Sequence, residues 1–295
     1  MTIESFRRSV TRRVIKTLKN HEGIPWQSKW HGWGDNIGFP RNINRKKYFG
    51  INVLLLQMAA KEHGFVSNLW ATAEQFAAMG AKIRPRPANV TPGSWATEIL
   101  IYRHNVVTNG VSMSTAMVYN YDQVENPVEN YKSKPILFPN YTFVEKILNS
   151  TGAQIEYNDK GEAWYFYPPH DYITLPRKHY FEQGIGGLPG YYEGLAHELM
   201  HWTEARLSFD IGCDEAIREL RAEIGSSLLM EELNCPHSVS FSNIDKWRDD
   251  WIELLSNDDN LIFRIAASAC RAVDYLMAFG TNVEDRFNVV NEEAA

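Results

Sequence analysis

Apolar and basic positions interleave with helical spacing at the start of the chain. Phe6, Val10, Val14 and Leu18 recur every four residues while Arg7, Arg8, Arg12, Arg13, Lys16 and Lys19 fill the other faces, which predicts a basic amphipathic helix over residues 2–20. Residues 23–49 are rich in Gly, Trp and Asn and carry no period. Residues 50–62 read as a buried helix and the Ala-rich stretch 71–79 as another. Two strands over 96–107 and 111–120 meet at Asn109-Gly110, a strong hairpin signal. Residues 124–139 hold three prolines and no periodicity, and the domain boundary is expected there. Beyond it come a helix near 143–149 and strands at 153–157 and 162–167 joined by the turn residues Asn158, Asp159, Lys160 and Gly161. A short strand follows at 172–175, then helices over 190–207, 215–233, 245–256 and 260–279. A few strands followed by several helices is an α+β order. Two domains are expected, 1–130 and 131–295.

Charge sharpens this division. Residues 1–130 carry 16 Lys/Arg against 9 Asp/Glu, a balance of +7, and residues 131–295 carry 14 against 27, a balance of −13. Such asymmetry points to a nucleic-acid-facing first half. No apolar run approaches the roughly 18 residues of a membrane span, and the basic start MTIESFRRSV lacks a secretory apolar core. Cys213, Cys235 and Cys270 form no CxxC pair, as expected of reduced thiols in a cytoplasmic protein.

The residues with the most chemistry are His197-Glu198-Leu199-Met200-His201. On a helix, positions four apart share a face, so both imidazoles can reach one metal ion. Glu198 sits where its carboxylate can take a proton from a water held there. Tyr191, Leu195, Leu199 and Trp202 supply packing for such a helix. A tetrahedral site needs a third protein ligand. Position 207 is Leu, which excludes the zincin subclass with a histidine six residues after the second one. The following helix offers Glu219 and Glu223, four apart and on one face. The pair resembles the E-x-x-x-D/E arrangement of zincins with a glutamate third ligand, whose first acid binds the metal. That resemblance assigns Glu219 to the metal and Glu223 to the free N–H of a ligand histidine, the reverse division remaining open. Glu204 and Asp210 are less favoured rivals, and Cys213 reads as a structural thiol. His170, Tyr191 and Tyr192 are candidates for steadying an oxyanion, whereas His21, His31, His63, His104, His179 and His237 carry no assigned role. The expected ion is Zn2+, with another divalent metal such as Mn2+ as the alternative.

In the basic half, Trp26, Trp30 and Trp33 lie among Lys29, Arg41, Arg45, Lys46, Lys47 and Tyr48. Single-strand binders combine cationic grooves with aromatic faces on which bases stack; the competing reading of these tryptophans is a small core for an irregular segment. Arg84 and Arg86 alternate with Pro85 and Pro87 on a stiff extended stretch. Without a recognised nucleic-acid motif or a phosphate-binding glycine loop, DNA binding is expected to be backbone-driven and weakly sequence-specific.

At this point the chain resembles the ArdC-type plasmid antirestriction proteins. The resemblance is carried by Pro25-Trp26-Gln27, by Tyr48-Phe49-Gly50-Ile51-Asn52-Val53-Leu54-Leu55-Leu56, by residues 69–80 (LWATAEQFAAMG) and by Val118-Tyr119-Asn120-Tyr121-Asp122-Gln123. In the second half it rests on Asp171-Tyr172-Ile173-Thr174-Leu175-Pro176, Tyr191-Tyr192 and His197-Glu198-Leu199-Met200-His201-Trp202. It covers nearly the whole chain. It implies a mixed α/β domain that binds single-stranded DNA, a zincin-like metallopeptidase domain, and protection of incoming conjugated plasmid DNA from host restriction. The sequence does not name a protein substrate; DNA-bound host proteins are the expected candidates, because a DNA-binding domain would raise their local concentration. One departure follows the motif: many relatives continue with Gly after Trp-Thr and then a basic stretch, where this chain has Glu204-Ala205-Arg206-Leu207-Ser208. That change is expected to bear on the substrate-side loop. The rival reading is a DNA-binding shield whose metal site is structural or vestigial. A metal-dependent nuclease fits less well, since nucleases gather carboxylates around hard cations.

Overall fold

Thr2 opens the first helix: its Oγ1 accepts the backbone N–H of Ser5 at 3.1 Å, and α1 (Ile3–Lys19) buries Phe6, Val10, Val14 and Leu18, the stripe that the spacing predicts. The structure, a computed structural model, describes residues 2–20, 25–27, 38–105, 110–126, 141–159, 165–167, 170–182, 187–209, 213–237 and 242–280. Among these, no helix is long and apolar enough to cross a membrane.

The described residues form two compact units, one from 1–138 with 246–267 and one from 139–245 with 268 onward. In the first unit, α2 (Ile51–His63) starts at Gly50, whose φ of +60° is the left-handed region that glycine enters without strain. Every residue of α2 from Ile51 to Ala59 is buried, as suits a helix apolar on all sides. The chain continues through β1 (Trp70–Ala71), α3 (Ala73–Ala78), β2 (Lys82–Ile83), β3 (Thr97–Asn105), β4 (Gly110–Asn120) and β5 (Val124–Glu125). Thr72 and Gln75 close a reciprocal capping box on α3. β3 and β4 pair antiparallel from Thr97↔Val118 to Asn105↔Gly110, with β1 on the other edge of β4; β2 pairs with β5. The tip of the β3–β4 hairpin lies outside the described residues. One core cluster joins Leu56 and Ala59 of α2 to Trp70, Ile99 and Val118.

The polar residues of the resemblance strings serve this core. Asn52 donates Nδ2 to the Leu100 carbonyl at 2.7 Å and accepts the Leu100 N–H at 2.8 Å, acting as a piece of extra strand beside β3. Asp122 accepts the N–H groups of Val66 and Ser67 at 2.7 and 3.0 Å.

The opening stretch of the first unit runs to 138, and the second unit starts at 139. Residues 246–267 return to the first unit. There Trp251 meets Trp26 edge-to-face at 6.1 Å, Phe263 meets Phe6 at 6.4 Å, and the Asp259 carbonyl accepts from Thr11 at 3.1 Å. Helical periodicity says that a face is buried; it does not say against which unit.

The second unit opens with α4 (Tyr141–Thr151), β6 (Gln154–Asn158), β7 (Tyr165–Tyr167), β8 (Tyr172–Pro176) and α5 (His179–Glu182). β6 and β7 do not pair as the turn residues between them suggested. β8 lies between them, parallel to β6 and antiparallel to β7, with Ile173 and Leu175 fully buried. Then come α6 (Gly187–Arg206), α7 (Glu215–Glu232), α8 (Ser242–Asn257) and α9 (Leu261–Gly280), the last two shared between the units along their length. α6 and α7 pack closely: a Cβ added at Gly225 would stand 2.5 Å from Met200 Sδ.

Candidate metal centre

The seam between α6 and α7 carries the chemistry. Leu195, Leu199 and Trp202 bury the core side of α6, which leaves His197 and His201 one turn apart on the face toward α7. Asp214 fixes the start of α7 by accepting the Ala216 N–H at 2.8 Å, and Leu220, Ile224 and Leu228 seat the helix. Glu219 and Glu223 then face the histidines. Arg206, at the end of α6, stacks on Trp202 at 3.5 Å and grips both oxygens of Asp171, at the start of β8, at 3.1 and 2.8 Å.

The structure brings His197, His201 and Glu219 together, with ligand atoms all within 4.8 Å of one another. Nε2 of His197 lies 3.3 Å from Nε2 of His201 and 3.4 Å from Glu219 Oε2; Nε2 of His201 lies 3.5 Å from Glu219 Oε1. Bonds of roughly 2.0–2.1 Å in a tetrahedron place neighbouring ligand atoms about 3.3–3.4 Å apart. The donor set therefore has the composition and spacing of a divalent-metal site. Glu223 Oε2 stands 3.6 Å from Nδ1 of His197, on the other side of that ring. Glu198 is 3% exposed, next to the first histidine.

Electrostatics follow from this crowding of carboxylates. Burial disfavours a charged His197, but Glu219 and Glu223 outweigh it and raise its pKa well above the usual value. His201 is raised in the same way, against burial, by Glu204 and Glu219. Burial alone would raise the Glu219 pKa, yet the two imidazoles hold it well below the usual range. A cluster that holds protons this way also attracts a cation, and the two compete.

Glu204 stands out beside these ligands. It lies within α6, 2% exposed, with Oε1 3.2 Å from Nδ1 of His201. Arg218 donates to its Oε2 at 2.8 Å, and Arg221 lies 3.4 Å from Oε1. These contacts keep it ionised despite burial. Sequence reasoning weighed it only as a ligand; the signal it missed was the pair of arginines flanking Glu219.

The other candidates scatter. Tyr191 and Tyr192 are buried: the Tyr191 hydroxyl faces Tyr157 Oη at 3.4 Å, and Tyr192 donates to Glu145 at 2.7 Å. His170 is exposed, and Cys213 Sγ sits 3.9 Å from Arg221. Asp210 lies outside the described residues, as do Trp30 and Trp33. Trp26 is fully buried against Trp251, so it belongs to the core and offers no face to a base. Tyr48 is half-buried against the α2–β3 cluster, and burial pushes its pKa up to about 12.

Residues 41–47 form a tight turn, with an Arg41↔Lys47 bridge and Asn42 Oδ1 accepting from the N–H groups of Asn44 and Lys46. Arg45 and Lys46 project from it, and Phe49, which sequence reasoning passed over, is 48% exposed just beyond. Arg41 bonds the Arg45 carbonyl and Lys47 lies 5.0 Å over the Phe39 ring. Arg84 and Arg86 are exposed, Arg86 bonding the carbonyls of Pro87 and Val90.

Residues 4–138 match the N-terminal domain of anti-restriction factor ArdC, and residues 142–268 match a zincin-like metallopeptidase family. The crystal structure of antirestriction protein ArdC from plasmid R388, Mn(II)-bound, superposes with a TM-score of 0.75 at 27% identity, covering 94% of this chain and 98% of that one; its metal-free form gives 0.72. DNA primase TraC of Escherichia coli is 28% identical over 93% of this chain, which spans only 20% of that relative's length. The protein y4eC of Sinorhizobium fredii is 24% identical over 91% of this chain and 90% of its own. Fold and site thus define a zincin-like domain joined to an ArdC N-terminal domain. Over nearly its whole length the chain is similar in fold to the R388 ArdC protein, and each of its two domains matches a family model.

Proposed function

We propose that the protein binds single-stranded DNA without strong sequence preference and protects incoming conjugated plasmid DNA from host restriction, with a metal-dependent peptidase acting from its second unit. The observation that carries the enzymatic part is the spacing of His197, His201 and Glu219 at the edge lengths of a tetrahedral site, with Glu198 beside them. The Mn(II)-bound R388 relative supports a divalent ion, and the two-histidine, one-carboxylate donor set suits Zn2+ as well. When bound, the ion supplies Lewis acidity toward a scissile carbonyl and toward water.

The chain's own residues do the rest. His197, His201 and Glu219 hold the ion, and Glu223 orients His197 through Nδ1. Glu198 takes the proton of the attacking water and delivers it to the leaving amine. DNA-bound host proteins are the substrates that a DNA-binding unit would concentrate. On the DNA side, Arg41, Arg45, Lys46, Lys47, Arg84 and Arg86 face phosphates, and Phe49 takes the stacking role that buried Trp26 cannot.

The test is protection of incoming unmethylated plasmid by wild type and by Glu198→Gln, with the metal content of both purified proteins. Loss of protection with metal retained is the expected result. Full protection by the variant would refute the catalytic reading and leave occlusion of DNA as the mechanism.

A further inference from the structure

A buried carboxylate is costly unless its oxygens are paired, and Glu204 has both of its oxygens engaged. Arg218 places Nε and Nη2 at 2.8 Å from Oε2, while Oε1 faces Nδ1 of His201 at 3.2 Å and Arg221 Nη1 at 3.4 Å. The two arginines belong to α7, the helix that carries Glu219 and Glu223. Through them a residue of α6 is anchored from the opposite helix.

We propose that Glu204, clamped by Arg218 and Arg221, is a positioning residue that orients His201 and preassembles the metal donors. The proposal rests on the metal reading above. With Nδ1–H donated to Glu204, the lone pair of His201 resides on Nε2, the atom that faces His197 Nε2 at 3.3 Å and Glu219 Oε1 at 3.5 Å. Glu204 is not itself a ligand, because it addresses the nitrogen on the far side of the ring. Each imidazole thereby has its own carboxylate: Glu223 for His197, reaching across from α7, and Glu204 for His201, from the same helix but pinned by α7. The clamp joins the third ligand's helix to the second histidine, so a metal meets donors already in place.

The experiment uses the whole protein and measures Zn(II) affinity by chelator competition, the visible absorption of the Co(II)-substituted form, and the melting temperature of the metal-free form. Glu204→Ala is expected to lose about 10–100-fold in Zn(II) affinity and to alter the Co(II) spectrum. Glu204→Gln is expected to stay within about fivefold of wild type, because its amide oxygen still accepts the Nδ1–H. A purely structural ion pair would lower the melting temperature of both variants while leaving affinity and spectrum unchanged, and that result overturns the proposal. Should Glu204→Ala fail to fold, Arg218→Met decides: several-fold weaker Zn(II) binding supports the clamp, and unaltered binding overturns it. Wild type that takes up neither Zn(II) nor Co(II) refutes this proposal and the metal reading together, whereas wild type that binds both beside unaffected variants refutes this proposal alone.

Discussion

His237 shows what two carboxylates do to one buried imidazole. Its Nδ1 lies 3.0 Å from Glu193 Oε1 and its Nε2 3.6 Å from Glu231 Oε1. Burial pushes the pKa down, but the paired charges reverse that and lift it to about 9. In the unfolded chain the value is about 6.5. The folded state therefore holds the proton more tightly, and the stabilisation is full below about pH 6.5 and fades as pH rises through about 9. Thermal melts across that window should fall more steeply for wild type than for His237→Gln; identical slopes would remove His237 from the account. At this scale the clustered candidate donors were legible in the sequence and the groups that contact them were not. His197, His201, Glu219 and Glu223 announce themselves by four-residue spacing within single helices. Glu204 and His237 look ordinary because what makes them matter is a partner on another element, Arg218 in one case and Glu193 in the other.

At the scale of elements, two features invite tests. The α6–α7 seam depends on Gly225, where a side chain would run into Met200. Gly225→Val gains something in helix propensity, but overpacking costs about 1–3 kcal/mol and spreads the helices that hold the ligands. A lower melting temperature together with weaker metal uptake is expected, and unchanged uptake would mean that Met200 yields without moving α6. The turn at 41–47 is the second. Phe49→Ala should weaken single-stranded DNA binding by about 1–3 kcal/mol, the usual worth of one base stacked on an aromatic ring. Trp26→Phe should leave affinity alone and lower stability, and the opposite pattern in a DNA titration would return the stacking role to Trp26. The predicted helices largely matched the observed ones because their stripes are long, from Phe6 to Leu18 in α1 for instance. Two-residue strands such as β1 and β2 carry no period to read. The place of β8 between β6 and β7 was hidden for a different reason: strand order is set by long-range pairing, and residues 158–161 spoke only for a local turn.

For the whole molecule, charge asymmetry divides the sequence in two but carries no sign of the return of 246–267 to the first unit. A fragment ending at 138 would lack the partners of Trp26 and Phe6. Losing packing of that size costs about 3–5 kcal/mol per large aromatic, a large share of the roughly 5–15 kcal/mol of a typical domain. The fragment is expected to show no sharp melt and to bind hydrophobic dyes, and a cooperative transition from it would show that the first stretch suffices. The same return sets a timetable during synthesis. The roughly 130 residues separating 138 from 267 take about 6–26 s to make at usual elongation rates. Throughout that interval the first unit waits incomplete. Its last residues are the opening stretch of α9, and the rest of that helix belongs to the second unit. The usual order, in which the leading domain is finished before much of the trailing one exists, is thus replaced by a first unit that cannot close until most of the second has been made.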